Sequence, residues 1–115
     1  MEVTETLIGG LFHPTYGLAV ECAPETFEGF LADMRQAREA LLRWKIQRGD
    51  KCESVLFSIA AEPDQHARMG ELLATVYNEE KDLSPLLKSL RVEVAFLDPA
   101  GREVSRCKLG QKTEG

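Results

Sequence analysis

The stretch that decides the fold is Ser54-Val-Leu-Phe-Ser-Ile-Ala-Ala61. It is apolar almost throughout and rich in residues that favour β-structure. This pattern is typical of a central strand covered on both faces, because an edge strand is usually polar on one side. Pro63 and Asp64 follow and predict that a helix opens directly after the strand. The inner face of this helix is predicted to consist of Met69, Leu72, Leu73 and Val76.

A longer helix is predicted before the central strand, over residues 24–48. Pro24 suits its first position, and Gly49 stands where a left-handed cap is expected. The apolar residues that recur at helical spacing are Phe27, Phe30, Leu31, Met34, Leu41 and Leu42.

A β-hairpin is predicted on each side of this central part. In the first, residues 3–12 form a strand that bends at Gly9-Gly10, and residues 18–22 form the return strand. In the second, residues 92–96 alternate with one face in the core, and residues 102–109 form an outer polar strand. Asp98-Pro99-Ala100-Gly101 is the turn between them. A short helical turn before this hairpin is predicted from Ser84-Pro85 through Leu86, Leu87 and Leu90.

These elements predict a small α+β domain in the order β-β-α-β-α-β-β, with a mostly antiparallel sheet covered by two helices. The chain of 115 residues is long enough for one core, so residues 1–109 are expected to form a single domain with a flexible tail at 110–115. No apolar run approaches the roughly 20 residues of a membrane helix. The acidic N-terminus lacks the order of a signal peptide. We therefore expect a cytoplasmic protein without membrane contact.

The densest group of potential ligands is Glu62, Asp64 and His66. In an extended segment these three side chains would share one side and could hold a divalent metal or a small ligand. The simpler interpretation is that Asp64 caps the following helix and that His66 is neutral in its first turn. His13 and Tyr16 form a second candidate pair, because an imidazole beside a phenol can transfer a proton.

The three cysteines, Cys22, Cys52 and Cys107, are odd in number and lack metal-binding spacing, so we expect reduced thiols. Cys22 precedes a helix, where a thiol can become reactive, but it also completes a strand, where cysteine is usually buried. Glycine-rich phosphate loops and the common hydrolase motifs are absent from the sequence. The sequence therefore predicts no cofactor and favours a non-catalytic protein.

The second half of the long helix is basic. One interpretation is that this half meets phosphate or nucleic acid, whereas the net charge of −5 argues against a protein that grips phosphate backbones. A cation near a helix C-terminus is also stabilised by the helix dipole. The candidate anion contacts are Arg35, Arg38, Arg43 and Lys45.

The leading expectation is a binding or assembly module that associates with itself or with another protein, as a homodimer in the first case. The long helix is apolar beyond one stripe toward its end, and the first hairpin carries aromatic residues. Small-ligand binding or catalysis near Glu62 and nucleic-acid association are the alternatives. The candidate interface residues are Leu42, Trp44, Ile46 and Phe12.

Overall fold

A computed structural model describes residues 1–79 and 90–109. The element order β-β-α-β-α-β-β is as predicted, and the α+β class is confirmed. A short 3₁₀ turn, Gly49–Lys51, separates the first helix from the central strand. The strands and helices are β1 Glu2–Leu7, β2 Tyr16–Cys22, α1 Phe27–Arg48, β3 Cys52–Ala60, α2 Pro63–Glu79, β4 Arg91–Leu97 and β5 Glu103–Leu109.

The five strands form one sheet in the order β1-β2-β3-β4-β5. The two outer pairings are antiparallel and correspond to the two predicted hairpins. The two pairings that flank β3 are parallel, because each helix returns the chain to the same end of the sheet. The sheet is therefore mixed, with its antiparallel pairs at the edges.

The core lies between the helices and one face of the sheet. Val20, Phe57 and Val94 lie side by side across β2, β3 and β4, and all three are almost fully buried. The helices cover this row of side chains and the row on each side of it. The other core residues include Leu18, Val55, Val92, Cys22, Ile59 and Phe96 from the three strands, and Phe30, Met34, Ala37, Leu41, Trp44, Met69, Leu73 and Tyr77 from the helices.

The prediction that β3 is covered on both faces is wrong. Ser54, Leu56 and Ser58 lie on the opposite face and remain partly exposed. Crossovers between parallel strands follow a right-handed rule. The two crossovers in this sheet, from β2 to β3 and from β3 to β4, both move in the same direction along it. They therefore place α1 and α2 on the same face. The apolar run over residues 54–61 reflects a central position and not two covering layers.

The first strand and the first helix are both shorter than predicted. Strand β1 ends at Leu7 and not at residue 12, because the chain leaves the ladder at the glycine pair. A Cβ atom on Gly9 would lie 2.5 Å from the carbonyl oxygen of His13, so this loop requires glycine. Helix α1 begins at Phe27 and not at residue 24, because Thr26 is its N-cap and accepts a hydrogen bond from the Gly29 amide at 2.9 Å.

Two predicted chain reversals are confirmed. Gly49 ends α1 with a φ of 61°, and Gly101 in the second hairpin turn has a φ of 91°. The Asp98 carboxylate accepts hydrogen bonds from the amides of Ala100 and Arg102 at 3.0 and 2.9 Å. Residues 84–89 of the predicted helical turn, the tail 110–115 and the Val76 side chain lie outside the described residues.

Neighbouring positions on β3 allow a matched test of the one-sided core. Phe57 is fully buried and stacks on Tyr77 with 5.7 Å between ring centroids, whereas Leu56 lies on the open face. We expect Phe57→Ala to lower the free energy of unfolding by about 3–5 kcal/mol. Leu56→Ala should cost about 1 kcal/mol. Denaturant unfolding of both variants checks this, and equal losses would contradict a core on one face.

Candidate functional site

The predicted ligand group at residues 62–66 does not converge. Helix α2 begins at Pro63, so Glu62, Asp64 and His66 are not spaced along one side of an extended segment. Glu62 and Asp64 are exposed, whereas His66 is buried. Asp64 lies inside the first helical turn. Among residues 1–79 and 90–109, no group of three or more His, Cys, Asp or Glu side chains is placed to hold a metal ion.

The His66 ring has a structural environment. Its Nε2 atom lies 2.9 Å from the carbonyl oxygen of Ala61 and 3.0 Å from that of Leu97, and the ring stacks on Phe96. A carbonyl oxygen only accepts, so Nε2 must carry the proton and donate to both. The imidazole therefore joins the ends of two neighbouring strands, β3 and β4.

The other candidate nucleophile and proton-transfer groups have different surroundings. His13 is exposed in the loop after β1. Tyr16 begins β2, and the Arg48 guanidinium lies 3.8 Å from the centroid of its ring. Cys22 is buried, and this burial raises the pKa of its thiol to about 12, so the thiolate form is disfavoured.

The four candidate anion contacts are divided between two surroundings. Arg35 and Arg38 line an apolar cavity of about 200 Å³ between the two helices. The Lys45 ammonium donates a hydrogen bond of 3.1 Å to the carbonyl of Gly49, so it caps the end of α1. Arg43 is exposed. This arrangement resembles local stabilisation of a helix more than a surface that follows a phosphate backbone.

The four candidate interface residues divide into a buried and an exposed pair. Trp44 is in the core with 4% of its surface exposed, and Leu42 packs partly against the core. Ile46 is 85% exposed on α1, and Phe12 is 91% exposed in the loop after β1. Of this predicted set, the exposed pair is available to a partner.

Trp44 belongs to a polar cluster that sequence analysis did not identify. Its Nε1 atom donates to Glu5 Oε2 at 2.8 Å. The Arg48 guanidinium donates to the same carboxylate through Nε at 2.8 Å and Nη2 at 2.6 Å. These hydrogen bonds from Arg48 hold the pKa of Glu5 below its ordinary value. This group of Glu5, Trp44 and Arg48, which we call the Glu5 cluster, connects strand β1 to helix α1.

The most exposed apolar side chains lie in the loop over residues 8–15, which we call the apolar loop. Leu11 and Phe12 at its tip are 92% and 91% exposed. Its base is held, because the amides of Ile8 and Gly9 both donate to the Thr15 carbonyl. Thr15 Oγ1 also donates to a Glu53 carboxylate oxygen at 2.8 Å. A loop whose base is held thus presents two large apolar groups to solvent.

Comparisons with known proteins find no match among protein-family models, curated proteins or solved structures. Within the part of the chain that the structure describes, no helix has the length and apolar character needed to cross a membrane. The candidate site therefore depends on the geometry of the loop, the edge strand and the polar cluster.

The Glu5 cluster makes a pH-dependent contribution to stability. A carboxylate with a lowered pKa stabilises the fold above its ordinary value of 4.5, and this stabilisation is lost as the pH falls through the folded-state pKa. We expect Glu5→Gln to unfold more easily than wild type at pH 7, with a difference that shrinks at pH 3. Urea unfolding at both pH values measures this.

Glu71→Gln removes the same charge from an exposed position on α2 and is the control for net charge. It should leave the pH dependence of stability close to that of wild type. If both variants behave alike, the ion pair with Arg48 contributes nothing specific to the fold.

Proposed function

We propose that the protein is a non-catalytic assembly module that associates with a second copy of itself through the apolar loop and the neighbouring strand β1. The observation that carries this proposal is the exposure of Leu11 and Phe12 above 90% on a loop whose base is fixed. Burial of each such side chain is favourable by about 1.5–3 kcal/mol. A partner that covers both gains this free energy without ordering the base of the loop.

The arrangement of the other candidate residues supports a non-catalytic function. The His66 imidazole is committed to two carbonyl groups, and the Cys22 thiol is buried. Cys22 lines a pocket with Glu2 and Glu21, but burial raises the pKa of its thiol, so the nucleophilic thiolate is disfavoured. An enzyme needs an acid, base or nucleophile in its reactive form within hydrogen-bond reach of one reacting atom.

The proposal includes a cytoplasmic location. Cys22, Cys52 and Cys107 are all free thiols, as expected of a protein that works in a reducing compartment.

Native mass spectrometry tests the assembly. We expect wild type at twice the monomer mass of 12.8 kDa. The double variant Leu11→Ser/Phe12→Ser should be a monomer with an unchanged circular dichroism spectrum, because these side chains make little contact within their own fold. Both changes remove apolar surface that only a partner can bury.

Ile46→Ser is the matched control, because it also removes a large exposed apolar side chain, but from α1. It should leave the dimer intact. A wild-type protein that is monomeric at micromolar concentration would overturn the proposal, and a dimer lost in Ile46→Ser alone would move the interface to α1.

A further inference from the structure

The two edges of the sheet differ in how they are protected. Edge strands usually carry lysine, proline or a bulge that discourages pairing with another chain. Strand β5 has Arg106 and Lys108, and its pairing with β4 contains a register shift. Strand β1 has no lysine, proline or bulge, its charged residues are Glu2 and Glu5, and all six of its residues are exposed.

The outward hydrogen-bonding groups of β1 can be assigned. The amide of Ile8 donates to the carbonyl of Thr15, which continues the β1–β2 register by one position. Along an antiparallel strand, alternate residues bond to alternate neighbours. Even-numbered residues therefore face β2. The residues whose backbone N–H and C=O groups point away from the sheet are Val3, Glu5 and Leu7.

We propose that this edge pairs with the same edge of a second copy, antiparallel, about a two-fold axis at Thr4. The two five-stranded sheets then join edge to edge, with the helices of both copies on one side. This inference rests on the proposed function and assigns the strand that mediates it. A two-fold interface of this kind uses one patch on both copies and closes after two subunits.

The register follows from the side chains of β1. Edge-to-edge pairing about a two-fold axis places odd residues opposite odd residues, because paired residues share a face. If the two-fold axis lay at Glu5, the Glu5 side chains of the two copies would lie opposite each other, and such a pair of like charges is unfavourable. If the axis lay at Val3 or Thr6, fewer residues of the two β1 strands would be paired. A centre at Thr4 pairs Glu2 with the partner's Thr6 and Val3 with the partner's Glu5.

The Glu5 cluster makes this pairing electrostatically acceptable. The Glu5 carboxylate already accepts hydrogen bonds from Arg48 and Trp44 within its own subunit. Its charge is therefore compensated before the edges meet, and its aliphatic part is left beside the partner's Val3. Thr4 faces the partner's Thr4, and threonine pairs across antiparallel strands are favourable.

The apolar loop lies at the ends of the paired segment. It follows Leu7, which is 56% exposed and would lie beside the start of the partner's β1. The two-fold axis places one apolar loop at each end of the joined strands.

Disulfide cross-linking tests the register. In the proposed dimer Thr4 forms a non-hydrogen-bonded pair with about 4.5 Å between Cα atoms, within disulfide range. The two Thr6 positions would be about 14 Å apart, too far for a disulfide. Thr4→Cys should therefore form a covalent dimer at least about tenfold faster than Thr6→Cys under mild oxidation. Both variants carry Cys107→Ser, because Cys107 is an exposed thiol.

Val3→Pro provides a second test that needs no cross-link. It removes an outward N–H group from β1 and leaves the ladder to β2 intact, so it should give a folded monomer. A native dimer in which Thr4→Cys cross-links no faster than Thr6→Cys, and which Val3→Pro leaves intact, overturns the strand pairing alone. A wild-type monomer overturns the proposed function as well.

Discussion

The handedness of the two crossovers constrains the rest of this structure. Both connections between parallel strands move one position in the same direction, from β2 to β3 and from β3 to β4. A right-handed connection then has only one face on which to place its helix, so α1 and α2 share that face. The apolar rows of the three central strands point toward them. The opposite face consequently carries small or polar side chains such as Ser54 and Ser58.

The same constraint places the two outer strands beyond the strands that the helices connect. Each crossover helix packs over the parallel strands that it connects, and β1 lies beyond that span. It is joined to the domain by its ladder with β2 and by the cluster in which Trp44 and Arg48 bind Glu5. The contact between β1 and the helices is therefore made by the Glu5 carboxylate and not by apolar packing. As a result β1 is fixed in position while its outer edge stays accessible.

The order and type of the elements could be predicted because they depend on local patterns. The apolar spacing of α1, the glycine at its end and the Asp98 turn are each encoded within a few residues. The end of β1 could not be predicted, because it depends on a close approach between Gly9 and the His13 carbonyl within a particular loop. The sharing of one face by both helices depends on strand order, which periodicity does not contain.

The candidate site was only partly predictable for the same reason. The aromatic character of Phe12 within the hairpin predicts an interface residue, and the side chain is 91% exposed. Trp44 was predicted for the surface because the end of α1 is apolar on several sides, yet it lies in the core. Its partner Glu5 is 39 residues away in sequence, and no local pattern relates the two. Long-range pairs of this kind become visible only when the sheet is assembled.

The acidic character of the chain bears directly on self-association. With a net charge of −5, two copies repel each other at long range, so an interface between them must be locally compensated. At the β1 edge the internal salt bridge with Arg48 supplies this compensation, since it neutralises the central carboxylate. At the β5 edge the exposed Lys108 and the register shift in the ladder with β4 discourage pairing with another chain. Charge and edge protection therefore favour β1 as the surface where two copies can meet.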